Sequence, residues 1–267
     1  GLFVDSATGN WSVGNTTVTD TGDDGLDAEN TSGDWSVFGL TVQNVSDVGI
    51  DTENGTGNWT IRNTTVENTT DTAVSTVNTT GNWTVENTTL RTVGGNGVYA
   101  ANATGQWTLR NVTVDNTTSL PGIFVAATDS EWLIENTTVN ATATDGITVV
   151  ETDGDWTIRN TTVTSAGASG SSEPASGVNV TGGDGDWTLS NVTVDDAATA
   201  AVAVTVADGQ WTIRNSSLSN ASYGLRALGT VGDWTVENTT VRDTTQGGLI
   251  AFANGGDWTV EDVLLRD

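Results

Sequence analysis

The chain contains no cysteine, methionine, histidine or lysine, and only two prolines among its 267 residues. Without cysteine, disulfides neither hold the fold nor report on the redox compartment. The absence of histidine removes the imidazole ligands that a copper centre favours. No stretch approaches the roughly 20 apolar residues of a membrane-spanning helix, so membrane insertion is not expected. All eight cations are arginine, set against 34 acidic residues, for a net charge of -26. Such a charge disfavours nucleic acid as a partner and loads the compact state with self-repulsion; molar salt relieves it, because the Debye length falls to roughly 3 Å at 1 M. The sequence opens on Gly1 and not on methionine, and is expected to be a processed product or a fragment. What remains is rich in Thr, Asn, Gly and Val, which suits strands joined by tight turns.

Tryptophan carries the organisation. The eleven stand at Trp11, Trp35, Trp59, Trp83, Trp107, Trp132, Trp156, Trp187, Trp211, Trp234 and Trp258, 24 residues apart except for steps of 25, 31 and 23. An aliphatic residue follows each Trp by two places and again by seven, as with Ile158 and Val163 after Trp156; another precedes it by nine, from Leu2 to Leu249. Trp, Thr, aliphatic and then a charge is period-two alternation, the mark of a strand with one buried face. Each unit therefore supplies three short strands. The fold class is predicted to be all-β: a single-stranded parallel β-helix, a solenoid of about 11 coils of about 24 residues, forming one domain over 1–267. Coils about 4.8 Å apart make a rod on the order of 50 Å long. A lone coil offers four inward apolar groups at roughly 2 kcal/mol each, against about 1 to 2 kcal/mol of backbone entropy per residue. Only stacking closes that gap.

Four residues after Trp stands asparagine in nine coils: Asn15, Asn63, Asn87, Asn111, Asn136, Asn160, Asn191, Asn215 and Asn238, with Gly39 and Asp262 as exceptions. Asparagine tolerates the left-handed conformation of a sharp bend and can hydrogen-bond along a stack of amides. With this column the chain resembles the pectate-lyase-like superfamily of right-handed parallel β-helices, whose coils carry such an asparagine ladder, and more loosely the NosD-type and carbohydrate-binding β-helix repeats. The resemblance implies a right-handed solenoid; it says little of function, since that fold hosts lyases, hydrolases, adhesins and fibre proteins. The acidic, lysine-free composition resembles that of haloarchaeal proteins, with an acidic mesophilic secreted protein as the alternative.

The Trp column shares parity with the aliphatic residue two places on, so the indoles are expected inside, each stacked on the next, and not as an exposed stripe gripping sugars. The outward position three after Trp reads Arg62, Glu86, Arg110, Glu135, Arg159, Ser190, Arg214, Glu237, Glu261, an alternation that favours correct register. Sequons of the form N-x-S/T abound. Those on the ladder are expected to face inward at a bend. The exposed candidates for glycosylation are Asn30, Asn54, Asn68, Asn78, Asn102, Asn116 and Asn220. Acidic groups at Asp23, Asp24 and Asp27, at Asp153 and Asp155, and at Asp184 and Asp186 supply the hard oxygen ligands Ca2+ takes. None matches a defined calcium loop, and they read as solvated turn carboxylates, with no cofactor expected.

Every insertion falls between the second and third strands. The largest, 165–176 with Pro174, is expected to protrude as a loop and to be the place for a partner or ligand; Ser119, Leu120 and Pro121 form a smaller one. For catalysis, pectate lyases and polygalacturonases would imply clustered aspartates on adjacent coils beside an arginine, lysine or histidine. No outward cluster of that kind beside an arginine is apparent, and an ice-binding face would want outward Thr-x-Thr pairs where the second position here carries Arg or Glu. The chain is thus expected not to be an enzyme. Neither end shows a polar cap, and end to end the termini resume the repeat nearly in phase. The expected function is that of an extracellular or cell-surface structural protein that self-associates head to tail into a filament, with surface glycans as further partners; the alternative is a polysaccharide-binding or polysaccharide-degrading β-helix protein.

Overall fold

The computed structural model of the protein describes residues 1–167 and 175–266. Within them lie 28 strands and no helix, wound as a right-handed parallel solenoid of about eleven turns. Every strand pairs in parallel with its equivalent one coil away: Trp35 with Trp59, Val42 with Val66, Ile50 with Val74. The register survives the 31-residue step. Ala166 lies beside Ala197 and Ile147 beside Val178, so the additional length is confined to one corner. Most of the insertion expected to protrude, residues 168–174 with Pro174, lies outside the described residues.

The core is a set of columns. Indoles from Trp35 to Trp234 are buried. From Trp11 to Trp234 their ring centroids stand 4.7 to 5.1 Å apart with planes within 2° to 8°. Beneath them run Val37, Ile61, Val85 and Leu109, then Val42, Val66, Leu90 and Val114, all buried. The ladder has one defect: an indole carries a donor and no acceptor, so identical rings cannot satisfy one another. Nine of the indole Nε1 groups, Trp83 and Trp211 among them, are buried without a hydrogen-bond partner.

All three corners obey one rule. A residue in the left-handed region turns the chain, exposed in most coils and half-buried in others, as at Gly39, Ala141 and Ser165, and the next residue points inward. After Trp the turning residue is the ladder asparagine, φ 51° at Asn63 and 50° at Asn87, followed by buried Thr64 and Thr88. The buried hydroxyl bonds back across its own corner, Thr64 to the Arg62 carbonyl at 3.2 Å and Thr88 to that of Glu86 at 3.0 Å. The asparagines expected inward are therefore exposed. Parity counted from Trp fails past a left-handed residue, because that residue breaks the alternation and the inward place passes to its neighbour.

Glycine two places before Trp is set by the close approach of coils. A Cβ on Gly105 would overlap the carbonyl of Gly81, whereas one on Gly9, at the first coil, would meet nothing. Gly105→Ala is therefore expected to cost about 1 to 3 kcal/mol through overpacking, and Gly9→Ala to be nearly neutral. Urea unfolding of the two variants in molar salt measures the contrast, and equal stabilities would contradict it.

Candidate functional site

Along the strand that begins at each Trp, the surface is hollowed into two abutting grooves of about 910 Å³ and 490 Å³. Both are lined by Gln106 and Thr108, so they form one channel that follows the rod axis from Asp34 to Thr259. Its floor is the outward residue one place after Trp, threonine except at Leu133; its wall is the acid or amide one place before. Parallel pairing holds the floor residues in register, and each wall residue immediately precedes such a strand.

The wall column is held by the backbone. Asp155 Oδ1 accepts the Asp186 amide at 2.9 Å, Asp186 Oδ1 accepts that of Gln210 at 2.8 Å, and Asp233 Oδ1 that of Asp257 at 2.8 Å. Each carboxylate is thereby fixed by one oxygen and keeps the other for the groove. In the larger groove, Glu131, Asp155 and Asp186 follow one another on successive coils, with Arg159 as the single cation of its lining. This outward acidic row escaped the sequence reading, where Asp before Trp looked like turn consensus.

Arg159 is itself positioned by Glu135. Its Nε and Nη2 donate to Glu135 Oε2 at 2.8 and 2.6 Å, while Arg110 Nε donates to Oε1 at 2.5 Å. Burial pushes the Glu135 carboxyl up, but the hydrogen bonds from Arg159 and Arg110 outweigh it and hold the group below the usual carboxylate range. The Arg and Glu alternation thus makes one three-membered ion pair. Arg62 instead lies over the Phe38 ring at 5.2 Å.

The seven sequon asparagines set apart as exposed sit at the two other corners, all left-handed and exposed. Five have their amide nitrogen engaged one coil back: Asn30 on Asp5, Asn68 on Asn44, Asn78 on Asn54, Asn102 on Asn78 and Asn220 on Asp195. The first ladder does the same, as from Asn111 to Asn87 and from Asn160 to Asn136. Ladder and sequon asparagines are one structural class, and N-T-T is a corner motif. Glycosylating any of those five nitrogens would replace one hydrogen of an amide that bonds between coils.

The acidic groups are rearranged by stacking. Asp23 and Asp24 gather with Asp47 of the next coil, their carboxylate oxygens within 4.8 Å, while Asp27 pairs in register with Asp51. Asp153 and Asp155 lie under Asp184 and Asp186, accepting their backbone amides. Burial, and then neighbouring carboxylates, push Asp24 and Asp27 up to about 6 and raise Asp51 as well. One carboxylate oxygen each of Asp27 and Asp51 is buried without a partner.

Residues 1–170 match the family profile described as right handed beta helix region. No curated protein sequence matches the chain. Among solved structures it is similar to the pectate lyase Pel9A, with a TM-score of 0.65 at 14% identity, over 94% of this chain and 70% of that one. The catalytic domain of a GH87 alpha-1,3-glucanase, in complex with tetrasaccharides, gives 0.58 at 14% identity, over 98% and 64%. The periplasmic alginate epimerase AlgG gives 0.56 at 8% identity, over 98% and 74%. Likeness at these identities is one of fold. The expectation that the chain is not an enzyme is nonetheless overturned: all three neighbours are enzymes built on this fold, and carboxylates on successive coils line a groove with an arginine in its lining.

The acidic end yields a pH dependence. Folded-state values above the unfolded 3.8 mean that the folded state holds protons more tightly, so these groups favour folding most at low pH and lose that contribution as pH rises through about 6. Asp27→Asn is expected to raise the melting temperature at pH 7 and to leave it nearly unchanged at pH 4. Thermal unfolding at the two pH values checks this; destabilisation at pH 7 would contradict it.

Proposed function

The chain belongs to the right handed beta helix region family, and from that premise we propose that it is a carbohydrate-active protein that holds a neutral polysaccharide lengthwise in its axial groove and hydrolyses it at the row of Glu131, Asp155 and Asp186. The observation that carries this reading is the row itself, three carboxylates on successive coils, in a groove open along the rod that Arg159 also lines. Coils about 4.8 Å apart set neighbouring carboxylates near the roughly 5 to 5.5 Å at which one protonates the leaving oxygen and the other attacks the sugar carbon. Their fixation by backbone amides favours a preorganised pair.

Charge argues for a neutral substrate. Five carboxylates and one arginine line the larger groove, and a polyuronate would meet like charge along its length. The tetrasaccharide-bound glucanase fits this reading better than the pectate lyase or the alginate epimerase. A place outside the cell, where such polymers lie, goes with it.

Release of reducing ends from a panel of neutral glucans and polyuronates, in molar salt, tests the proposal. Cleavage is expected from a neutral glucan, and Asp155→Asn or Asp186→Asn is expected to slow it at least about 100-fold while binding persists, since asparagine keeps the oxygen that accepts the backbone amide. Cleavage indifferent to both variants, or confined to polyuronates, would refute it.

A further inference from the structure

The outward face of the third strands departs from the repeat in mid-rod. Eight places before Trp the column reads Asp51, Ser75, Tyr99, Phe124, Thr148, in register coil by coil. Outside the tryptophans the chain has only two Tyr and four Phe, and here one of each falls on consecutive coils. Their rings stack at 5.5 Å with planes 12° apart, both half-buried, and form a short flat ledge along the axis. The corner insertion 119–121 leads directly into the Phe124 strand, its position pinned by the Thr117 hydroxyl on the Leu120 carbonyl at 2.8 Å.

Polar groups frame the ledge. On the Thr148 side, Asp145 Oδ2 accepts the Thr148 hydroxyl and the Asn179 amide, both at 2.9 Å, and its Oδ1 accepts the Ser176 amide at 2.6 Å. Asn96, three residues before Tyr99, is 4% exposed with Oδ1 lacking any hydrogen-bond partner.

We propose that Tyr99 and Phe124 form a second carbohydrate site, a ledge that takes the apolar face of a neutral pyranose ring. An aromatic side chain buries 150 to 250 Å² at most (roughly), so two half-buried rings fall far short of the about 800 Å² per partner of a stable protein interface. A single sugar ring matches their size. The carboxylates of Asp27 and Asp51 along the same face disfavour an anionic ligand. The inference rests on the polysaccharide reading for the class of ligand alone, since the ledge shares no residue with the groove.

The test uses the full chain carrying Asp155→Asn and Asp186→Asn, so that ligand survives, in molar salt with laminarihexaose and maltohexaose followed by amide chemical shifts. Shifts at 75–124 on the third-strand face are expected for at least one sugar. Tyr99→Ala with Phe124→Ala should weaken that binding roughly tenfold, and Ser75→Tyr, which lengthens the ledge by one coil, should tighten it. Near-UV circular dichroism of the indole ladder reports whether each variant is folded; should the double variant unfold, Ser75→Tyr alone decides. Shifts confined to groove threonines, affinity unmoved by the folded variants, or a dimer that the double variant abolishes would each overturn the proposal. Failure of the groove reading shows separately, as a native chain that cleaves no glucan while the ledge still binds.

Discussion

Everything in this molecule depends on coils lying in register, each residue above and below its own equivalent. A single coil satisfies none of its strand amides and buries too little apolar surface to order itself. Stacking supplies both at once, because parallel pairing brings each backbone amide to a carbonyl one coil away and the same step lays Trp on Trp and Val on Val. The cost of closeness falls on the position where the coils nearly touch, occupied by glycine at Gly33, Gly57, Gly81 and Gly105.

Stacking like on like has different consequences for different side chains. An amide carries donor and acceptor, so asparagine repeated at one corner makes a continuous chain of bonds, as from Asn102 to Asn78 to Asn54. An indole has only a donor, and the ladder leaves buried N–H groups unpaired. Burial, and then the repulsion of stacked carboxylates, raises Asp24 and Asp27; the same spacing becomes useful where one oxygen of each is held by a backbone amide, as at Asp155 and Asp186. One geometric rule thus produces a core, a strained acidic end and a preorganised acidic row.

The fold was legible because its signals are periodic, and periodicity is what stacking translates into columns. Trp11 through Trp258 and their aliphatic followers announced three strands per coil, and pairing followed that register even across the 31-residue step. The inward assignment of Asn63 and its equivalents failed since alternation holds within a strand and ends at a left-handed corner. The separation of ladder from sequon asparagines failed for a related reason: three corners of one kind look different in sequence, where the residue after the turn is Thr in one and Gly or Ala in another, as at Thr64, Gly55 and Ala103.

The sequence by itself determined the parallel solenoid, the buried columns and the one corner that tolerates insertion, because each is a property of positions one period apart. Only the tertiary structure decided which surface residues act together. Glu131, Asp155 and Asp186 are 24 and 31 residues apart along the chain, and Arg159 belongs to a different column. The groove exists where the outward faces of neighbouring columns meet, and that meeting is set by how sharply the chain turns at its corners, a matter of backbone dihedral angles that residue spacing does not encode.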